Sequence, residues 1–280
     1  MAIKIGYKWR VYKQLMGNKR LSSALPETRL WTIPTMWRML NRHKSIILKP
    51  SAGTGGYAVI RLTFLQNGRV EVRYAGKRYV TRRKRKVNQL ICALVDWGGS
   101  AYIVQQYIPL ATIHGCPIDH RVMLQRKTLR SPWVITGYHS RKAGKDEKVI
   151  TNVKRGKAKV LPVETTLIQA AVKESPQKVL QKMKRLSILI AKHTARSPLC
   201  KEIGVDLGVD KKGKVWIIET NPQPDVQPSI GGFRMLSTRT MFNKIIQYRG
   251  SRYPKKYKKD NRKADKLLAK IFEGFNPLNH

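Results

Sequence analysis

Residues 202–224 read EIGVDLGVDKKGKVWIIETNPQP, and this stretch decides the fold. Two apolar runs, EIGVDLG and VWIIETN, flank the turn sequence Asp210-Lys211-Lys212-Gly213. The pattern predicts an antiparallel hairpin. A regular ladder about a turn centred between Lys212 and Gly213 puts Asp206 opposite Glu219, with Cβ atoms ~4.5–5.5 Å apart. Asn221, two residues beyond Glu219, points to the same face. Two carboxylates this close repel, and one loses its charge unless a cation bridges them. With the amide oxygen they form a hard-oxygen set, suited to Mg2+ held partly by a nucleotide's phosphates. Spacing alone weighs that reading evenly against simple pairing with the chain's surplus lysines and arginines.

That surplus is large. The 280 residues hold 57 Lys plus Arg against 16 Asp plus Glu, a formal charge of +41, and the first 95 residues contain only Glu27 and Glu71 as acids. Such a charge repels itself in a compact fold and points to a partner rich in phosphate or carboxylate. Apolar residues at 41% exclude a disordered chain. The three cysteines, Cys92, Cys116 and Cys200, are odd in number and widely spaced, which excludes a disulfide scaffold and a cysteine zinc site. No apolar run approaches the ~20 residues of a membrane span, and MAIKIGYKWR lacks the apolar core of a signal peptide. The expected location is the cytoplasm.

Outward from the hairpin, Ser175-Pro176 opens a helix with Val179, Leu180, Met183, Leu186, Leu189 and Ile190 on one face. HRVMLQRK and WVITGYHSRK read as paired strands, and AYIVQQYIPL (101–110) as a strand closed by Pro109. Residues 7–17 and 84–97 read as helices, and Pro34 opens another through about Arg42. SIILKP (45–50) is a short buried strand, and YAVIRLTF and RVEVRY form a hairpin around Gln66-Asn67-Gly68. Residues 148–161 carry short β patches. These alternating blocks indicate an α+β class.

Between Lys49 and the first hairpin lies Ser51-Ala52-Gly53-Thr54-Gly55-Gly56. Glycines let backbone N–H groups approach phosphate oxygens, and a strand-end lysine supplies a point charge. A tight turn into the hairpin reads the same, and no Gly-Lys-Ser/Thr closes the loop as in a Walker A motif. On the middle strands, Asp119 and Arg121 sit two apart on one face, Arg141 ends a strand, and Asn152 and Arg155 lie in TNVKRG. A planar guanidinium suits carboxylate or acyl phosphate, while the bland reading of each arginine is a solvated surface. His114, His120 and His139 show no metal spacing.

Taken in order, LPETRLW (25–31), SIILKPSAGTGG (45–56), YIVQQYIPL (102–110), IDHRVMLQRK (118–127), VITNVKRG (149–156) and residues 202–224 resemble an ATP-grasp ligase. The likeness is nearest to the YheC/YheD group of endospore coat-associated proteins and covers roughly residues 6–250. It implies two α+β subdomains that grip ATP between them: 1–108, with the Gly-rich lid, and 109–250, with the metal site. A basic tail, 251–280, follows. The chain begins almost at the first ATP-grasp helix, so the usual preceding domain is expected to be missing. The resemblance implies that Asp206, Glu219 and Asn221 bind Mg2+. It puts Lys49 on the nucleotide's phosphates under the loop of Ser51, Gly53, Gly55 and Gly56. Lys8 matches the family's earlier phosphate lysine, with Lys13 as competitor. Gln105, Gln106 and Ile108 belong to the adenine hinge, where Gln105 stands in place of the common Glu. Asp119 would hold the ribose. Arg141, Asn152 and Arg155 would face the γ-phosphate and an acyl-phosphate intermediate.

The implied activity is that of a spore-associated, ATP- and Mg2+-dependent carboxylate–amine (or thiol) ligase acting through an acyl-phosphate intermediate. Two alternatives stand beside it. One is a spore-coat protein that keeps the nucleotide fold without catalysis. The other is a polyanion- or nucleic-acid-binding protein, suggested by 73–86, with eight Lys or Arg and no acid, and by 252–263, with seven basic residues and one acid.

Overall fold

The computed structural model describes residues 6–53, 58–96, 101–144, 157–194, 200–222 and 232–249. In chain order its elements begin with α1 (Tyr7–Met16), α2 (Lys19–Ser22), β1 (Thr28–Leu30), α3 (Ile33–His43), β2 (Ser45–Pro50), β3 (Ile60–Phe64), β4 (Val70–Tyr74), β5 (Lys77–Thr81), α4 (Lys84–Asp96) and β6 (Tyr102–Gln106). They continue with β7 (Thr112–Ile113), β8 (Cys116–Gln125), β9 (Val134–Lys142), β10 (Lys159–Leu161), α5 (Val163–Gln169), α6 (Pro176–Thr194), β11 (Glu202–Val209), β12 (Val215–Pro222) and α7 (Thr240–Arg249). The class is α+β, with antiparallel sheets. The described chain divides into two compact units: residues 6–10 with 26–107, and 11–25 with 108–249.

The first unit is one sheet in the order β1-β6-β2-β3-β4-β5. Alternation along each strand sorts its side chains. Ile46 and Leu48, Ile60 and Leu62, Val70 and Val72, Tyr79 and Val104 form one apolar core with Met36, Met39 and Leu40 of α3 and Val87, Leu90, Ile91 and Leu94 of α4. Ser45 and Lys49 therefore turn to the opposite, polar face. Helix α3 starts where expected: the Thr32 side chain accepts the Thr35 N–H at 3.2 Å, and Pro34 lies in the first turn.

Two sequence expectations change in this unit. The strand read over 101–110 ends at Gln106. The basic run 73–86 is not uniformly exposed. Its middle is strand β5, whose Tyr79 is buried, and Arg73 and Arg78 both donate to Glu71. The count of charges masked a period-2 strand that hides one aromatic side chain among cations.

The second unit carries a sheet in the order β10-β9-β8-β11-β12, with β7 paired to β8. On α6 the buried residues are Val179, Leu180, Met183, Ser187, Ile190 and Ala191. Ser187 is buried while Leu186 and Leu189 are only half-buried, so the inward stripe is rotated slightly from the expected one. The His120 face of the sheet meets α5: His120 Nδ1 lies 2.7 Å from Ser140 Oγ, which lies 2.7 Å from Thr166 Oγ1. The Met123 face meets α7, through a core of Met123, Phe233 and Ile245. Gly137 makes room there, since a Cβ would stand 2.6 Å from the Phe233 ring. On β8, Asp119 and Arg121 share the face of Met123, in the part nearer the strand's start.

Candidate functional site

The hairpin pairs Asp206 with Glu219 and Gly204 with Asn221. The route differs from a regular ladder. Val209 pairs with Val215, Gly208 with Trp216 and Leu207 with Ile217; then the register shifts, and Asp206 meets Glu219. The turn is centred one half-residue earlier than the regular hairpin requires, and a bulge at Ile218 restores the pairing. Asp210 ties the turn by accepting the Lys212 and Lys214 N–H groups at 2.9 and 3.1 Å and the Trp216 indole N–H at 3.0 Å.

On its other side, β11 runs beside β8, and Asp206 is the register partner of Arg121. Arg121 donates from Nε to Asp206 Oδ1 at 2.6 Å and from Nη2 to Oδ2 at 2.9 Å. Asp119 is the register partner of Arg141 on β9. Arg141 grips it with Nε to Oδ1 at 2.8 Å and Nη2 to Oδ2, and the same Nη2 donates to Asp206 Oδ1 at 2.9 Å. Burial alone would raise the Asp206 pKa, but the Arg121 and Arg141 guanidiniums outweigh it and hold the carboxyl below its ordinary value. Burial would likewise lower Arg141, yet Asp119 and Asp206 raise it. His139, in register with Arg121, is pushed down to about 3 by burial and then by the two guanidiniums. It is therefore a neutral ring, packed edge-on against Phe233 at 4.7 Å between centroids.

The sequence reading assembled Asp206, Glu219, Asn221, Asp119 and Arg141, and the sheet places all five on one face. It did not assign Arg121 to the site, although the Asp-x-Arg spacing put that residue on the face of Asp119. Asp119, expected at a ribose, has both oxygens on Arg141. Asn152 and Arg155 lie outside the described residues.

In the first unit, Lys49 donates from Nζ to Gln105 Oε1 at 2.9 Å, and Gln105 Nε2 donates to Thr28 Oγ1 at 2.9 Å. Gln105 is thus a neutral acceptor for a buried lysine. The Gln106 side chain accepts the Glu27 N–H at 3.3 Å. Ser51 is fully buried, and its hydroxyl accepts the Gly6 N–H at 2.9 Å. Lys8 donates to Gly53 O at 2.7 Å, and its N–H donates to Ser51 O at 2.9 Å. The first turn of α1 is therefore fastened to the start of the glycine loop. Gly53 has φ +91°, which glycine adopts without strain. Gly55 and Gly56 lie outside the described residues. Lys13 is exposed on α1, and Ile108 is buried in the second unit.

The family model described as YheC/D like ATP-grasp matches residues 3–250. The chain belongs to the YheC/D-like ATP-grasp family. Among relatives, the endospore coat-associated protein YheD of Bacillus subtilis is 25% identical over 226 residues, which make up 78% of this chain and 48% of that protein. YheC of the same organism is 22% identical over 224 residues, 78% of this chain and 59% of its own length. The YheC/D-like chain thus spans about half the length of these curated relatives. Solved structures similar to it include D-alanyl-alanine synthetase A of Vibrio cholerae, at 12% identity and a TM-score of 0.46, covering 92% of this chain and 64% of that one. Another is the ATP complex of D-alanine–D-alanine ligase from Bacillus anthracis, at 12% identity and 0.44, covering 96% and 63%. No helix among the described residues is long and apolar enough to cross a membrane.

Two carboxylates and an amide oxygen on one sheet face are donors of the kind a divalent metal takes. Among the described residues no three His, Cys, Asp or Glu cluster as a self-sufficient metal cage. Asp206 and Glu219 in register, with Asn221 on their face, leave coordination positions for oxygens from elsewhere, as Mg2+ sites at phosphates do.

Proposed function

We propose that this chain is an ATP- and Mg2+-dependent ligase that joins a carboxylate to an amine or thiol through an acyl phosphate. One observation carries the reading: Asp206, Glu219 and Asn221 share a sheet face with the buried Arg121 and the half-buried Arg141. The γ-phosphoryl group passes from ATP to a carboxylate oxygen, leaving ADP. The amine or thiol then attacks the acyl carbon, a proton leaves the nucleophile, and phosphate departs. Bound Mg2+ supplies charge neutralisation at the polyphosphate, and Asp206, Glu219 and Asn221 would hold it. Arg121 and Arg141 match the planar oxygens of a transferring phosphoryl group, and their salt bridges hold them ready. Lys49 and Lys8 in the first unit supply cations for phosphate beside Ser51 and Gly53. Gln105, Gln106 and Ile108 serve the base, and Asn152 and Arg155 the acyl end. The names of the two curated relatives motivate a spore setting, and the formal charge of +41 motivates a carboxylate-rich acceptor.

Calorimetry with a non-hydrolysable ATP analogue, with and without Mg2+, tests the proposal. Binding strengthened by Mg2+ and weakened by Glu219→Gln at unchanged fold is the expected result. Absence of binding by folded protein in both conditions overturns it. A second reading, nucleotide binding without catalysis, draws on the arginine pairs that engage Asp206. It is favoured if the analogue binds equally well with and without metal.

A further inference from the structure

The arginines do more than line the site. A carboxylate offers about four lone-pair positions. On Asp206, Oδ1 receives both Arg121 Nε and Arg141 Nη2, and Oδ2 receives Arg121 Nη2. Three positions are taken by guanidinium N–H groups, and one remains on Oδ2. The side chains concerned are almost fully buried: 9% exposed for Asp206, 8% for Arg121 and 13% for Arg141. Bulk water screens this cluster little. A bare divalent cation approaching Asp206 therefore meets two poorly solvated positive charges at hydrogen-bond distance from its first ligand.

The two arginines are held unequally. Arg141 makes two bonds to Asp119 and one to Asp206, so Asp119 is its anchor and Asp206 its exchangeable partner. Arg121 puts both Nε and Nη2 on Asp206. A polyphosphate has the planar oxygen faces that compete for such forks. When it takes the guanidiniums, it leaves Asp206 short of charge partners, beside Glu219, and brings oxygens of its own.

We propose that Arg121 and Arg141 form a lock on Asp206 that excludes free divalent metal and opens only to a polyphosphate. Metal and nucleotide then bind as one unit, and the site does not fill with metal between turnovers. Asp119 is the positioning residue of this lock, because it keeps Arg141 over the site when Asp206 is released. The inference rests on the ligase reading of the same face and adds how metal entry is controlled.

The experiment uses the full chain and Mn2+ as an observable substitute for Mg2+. Electron paramagnetic resonance follows free Mn2+ as protein is added, with and without the non-hydrolysable ATP analogue. Wild type should leave free Mn2+ unchanged without the analogue and deplete it beyond the analogue's own binding when both are present. Arg121→Gln removes two of the three bonds and a buried charge, and should bind Mn2+ without nucleotide at least tenfold more tightly than wild type. Arg121→Lys keeps the charge and loses the fork; it should fall between the two, and it serves if the glutamine variant does not fold. Mn2+ binding to wild type alone as tightly as to the variants overturns the lock and leaves the ligase reading standing. Failure of the folded variants to bind Mn2+ alone, while wild type binds it with the analogue, also overturns the lock alone. Absence of Mn2+ and analogue binding in every protein overturns the ligase reading and the lock with it.

Discussion

Asp206 and Glu219 face each other because the register of β12 steps over Ile218. Leu207 pairs with Ile217, and the next pair toward the strand end is Asp206 with Glu219. In an unbroken ladder from the same turn, Ile218 would stand opposite Asp206 and Glu219 would point to the other face. The bulge is thus what places the second carboxylate.

Deleting Ile218 removes the bulge and keeps Glu219 on the face of Asp206. Inserting one alanine between Ile218 and Glu219 turns the carboxylate away. Metal-dependent binding of an ATP analogue should survive the deletion and fail in the insertion. Equal loss in both, read by calorimetry, would assign the effect to the bulge itself rather than to the face that Glu219 occupies.

Gly6 is pressed against the loop that follows β2. A Cβ there would lie 2.3 Å from the Ser51 carbonyl carbon and oxygen and 2.5 Å from the Ala52 nitrogen. Gly6→Ala must push the first turn of α1 off Ser51, at a cost of about 1–3 kcal/mol by the usual scale of overpacking. The Lys8 bond to Gly53 goes with it. The expected result is several-fold weaker nucleotide affinity with Arg121 and Asp206 undisturbed; unchanged affinity in a titration would separate Lys8 from phosphate binding.

Acid should destabilise the fold well before its carboxylates titrate. Burial, and then Arg141, lowers both His120 and His139 from the ordinary 6.5 to about 3. Between those values the unfolded chain binds protons that the folded chain does not. Stability is therefore lost as pH falls below about 6.5, at about 1.4 kcal/mol per pH unit for each such histidine. Asp206, whose pKa is lowered, adds a loss only further down, as pH falls through its folded value. Urea unfolding at pH 7.5, 6.5 and 5.5 measures the slope. A flat profile would mean that both rings are protonated in the fold.

Arg82, Arg83, Lys84, Arg85 and Lys86 are consecutive and exposed, and the first turn of α4 has no acid. Among the described residues Arg82, Arg83, Arg85 and Lys86 enter no ion pair, while Lys84 lies 5.4 Å from the Trp37 ring. If this run makes a polyanion surface, changing Arg82, Arg83, Arg85 and Lys86 to serine weakens DNA or heparin binding and flattens its salt dependence, by roughly one unit of log–log slope for each phosphate no longer neutralised. ATP-analogue binding should persist. A salt titration in which the variant keeps the wild-type slope would remove this run from any polyanion surface.

What could be read from the chain was local. The Pro34 start of α3, the stripe of α6 and the alternation of β2, β3 and β4 follow from short-range sterics and apolar periodicity. The nearness of Asp206 and Glu219 was legible because a hairpin joins residues thirteen apart through one turn. Neither the bulge at Ile218 nor strand β5 was legible, the first because a half-residue shift of the turn is hidden by a compensating extra residue. The partners of the charged groups lay further out of reach. Arg121 meets Asp206 across 85 residues, and Lys49 meets Gln105 across 56. Those meetings depend on β11 choosing β8 and β6 choosing β2 as neighbours, a choice made by packing of whole sheets against their helices. Local sequence determined which side chains share a strand face; the order of strands in each sheet decided which of them touch, because a β ladder takes its neighbour from anywhere in the chain.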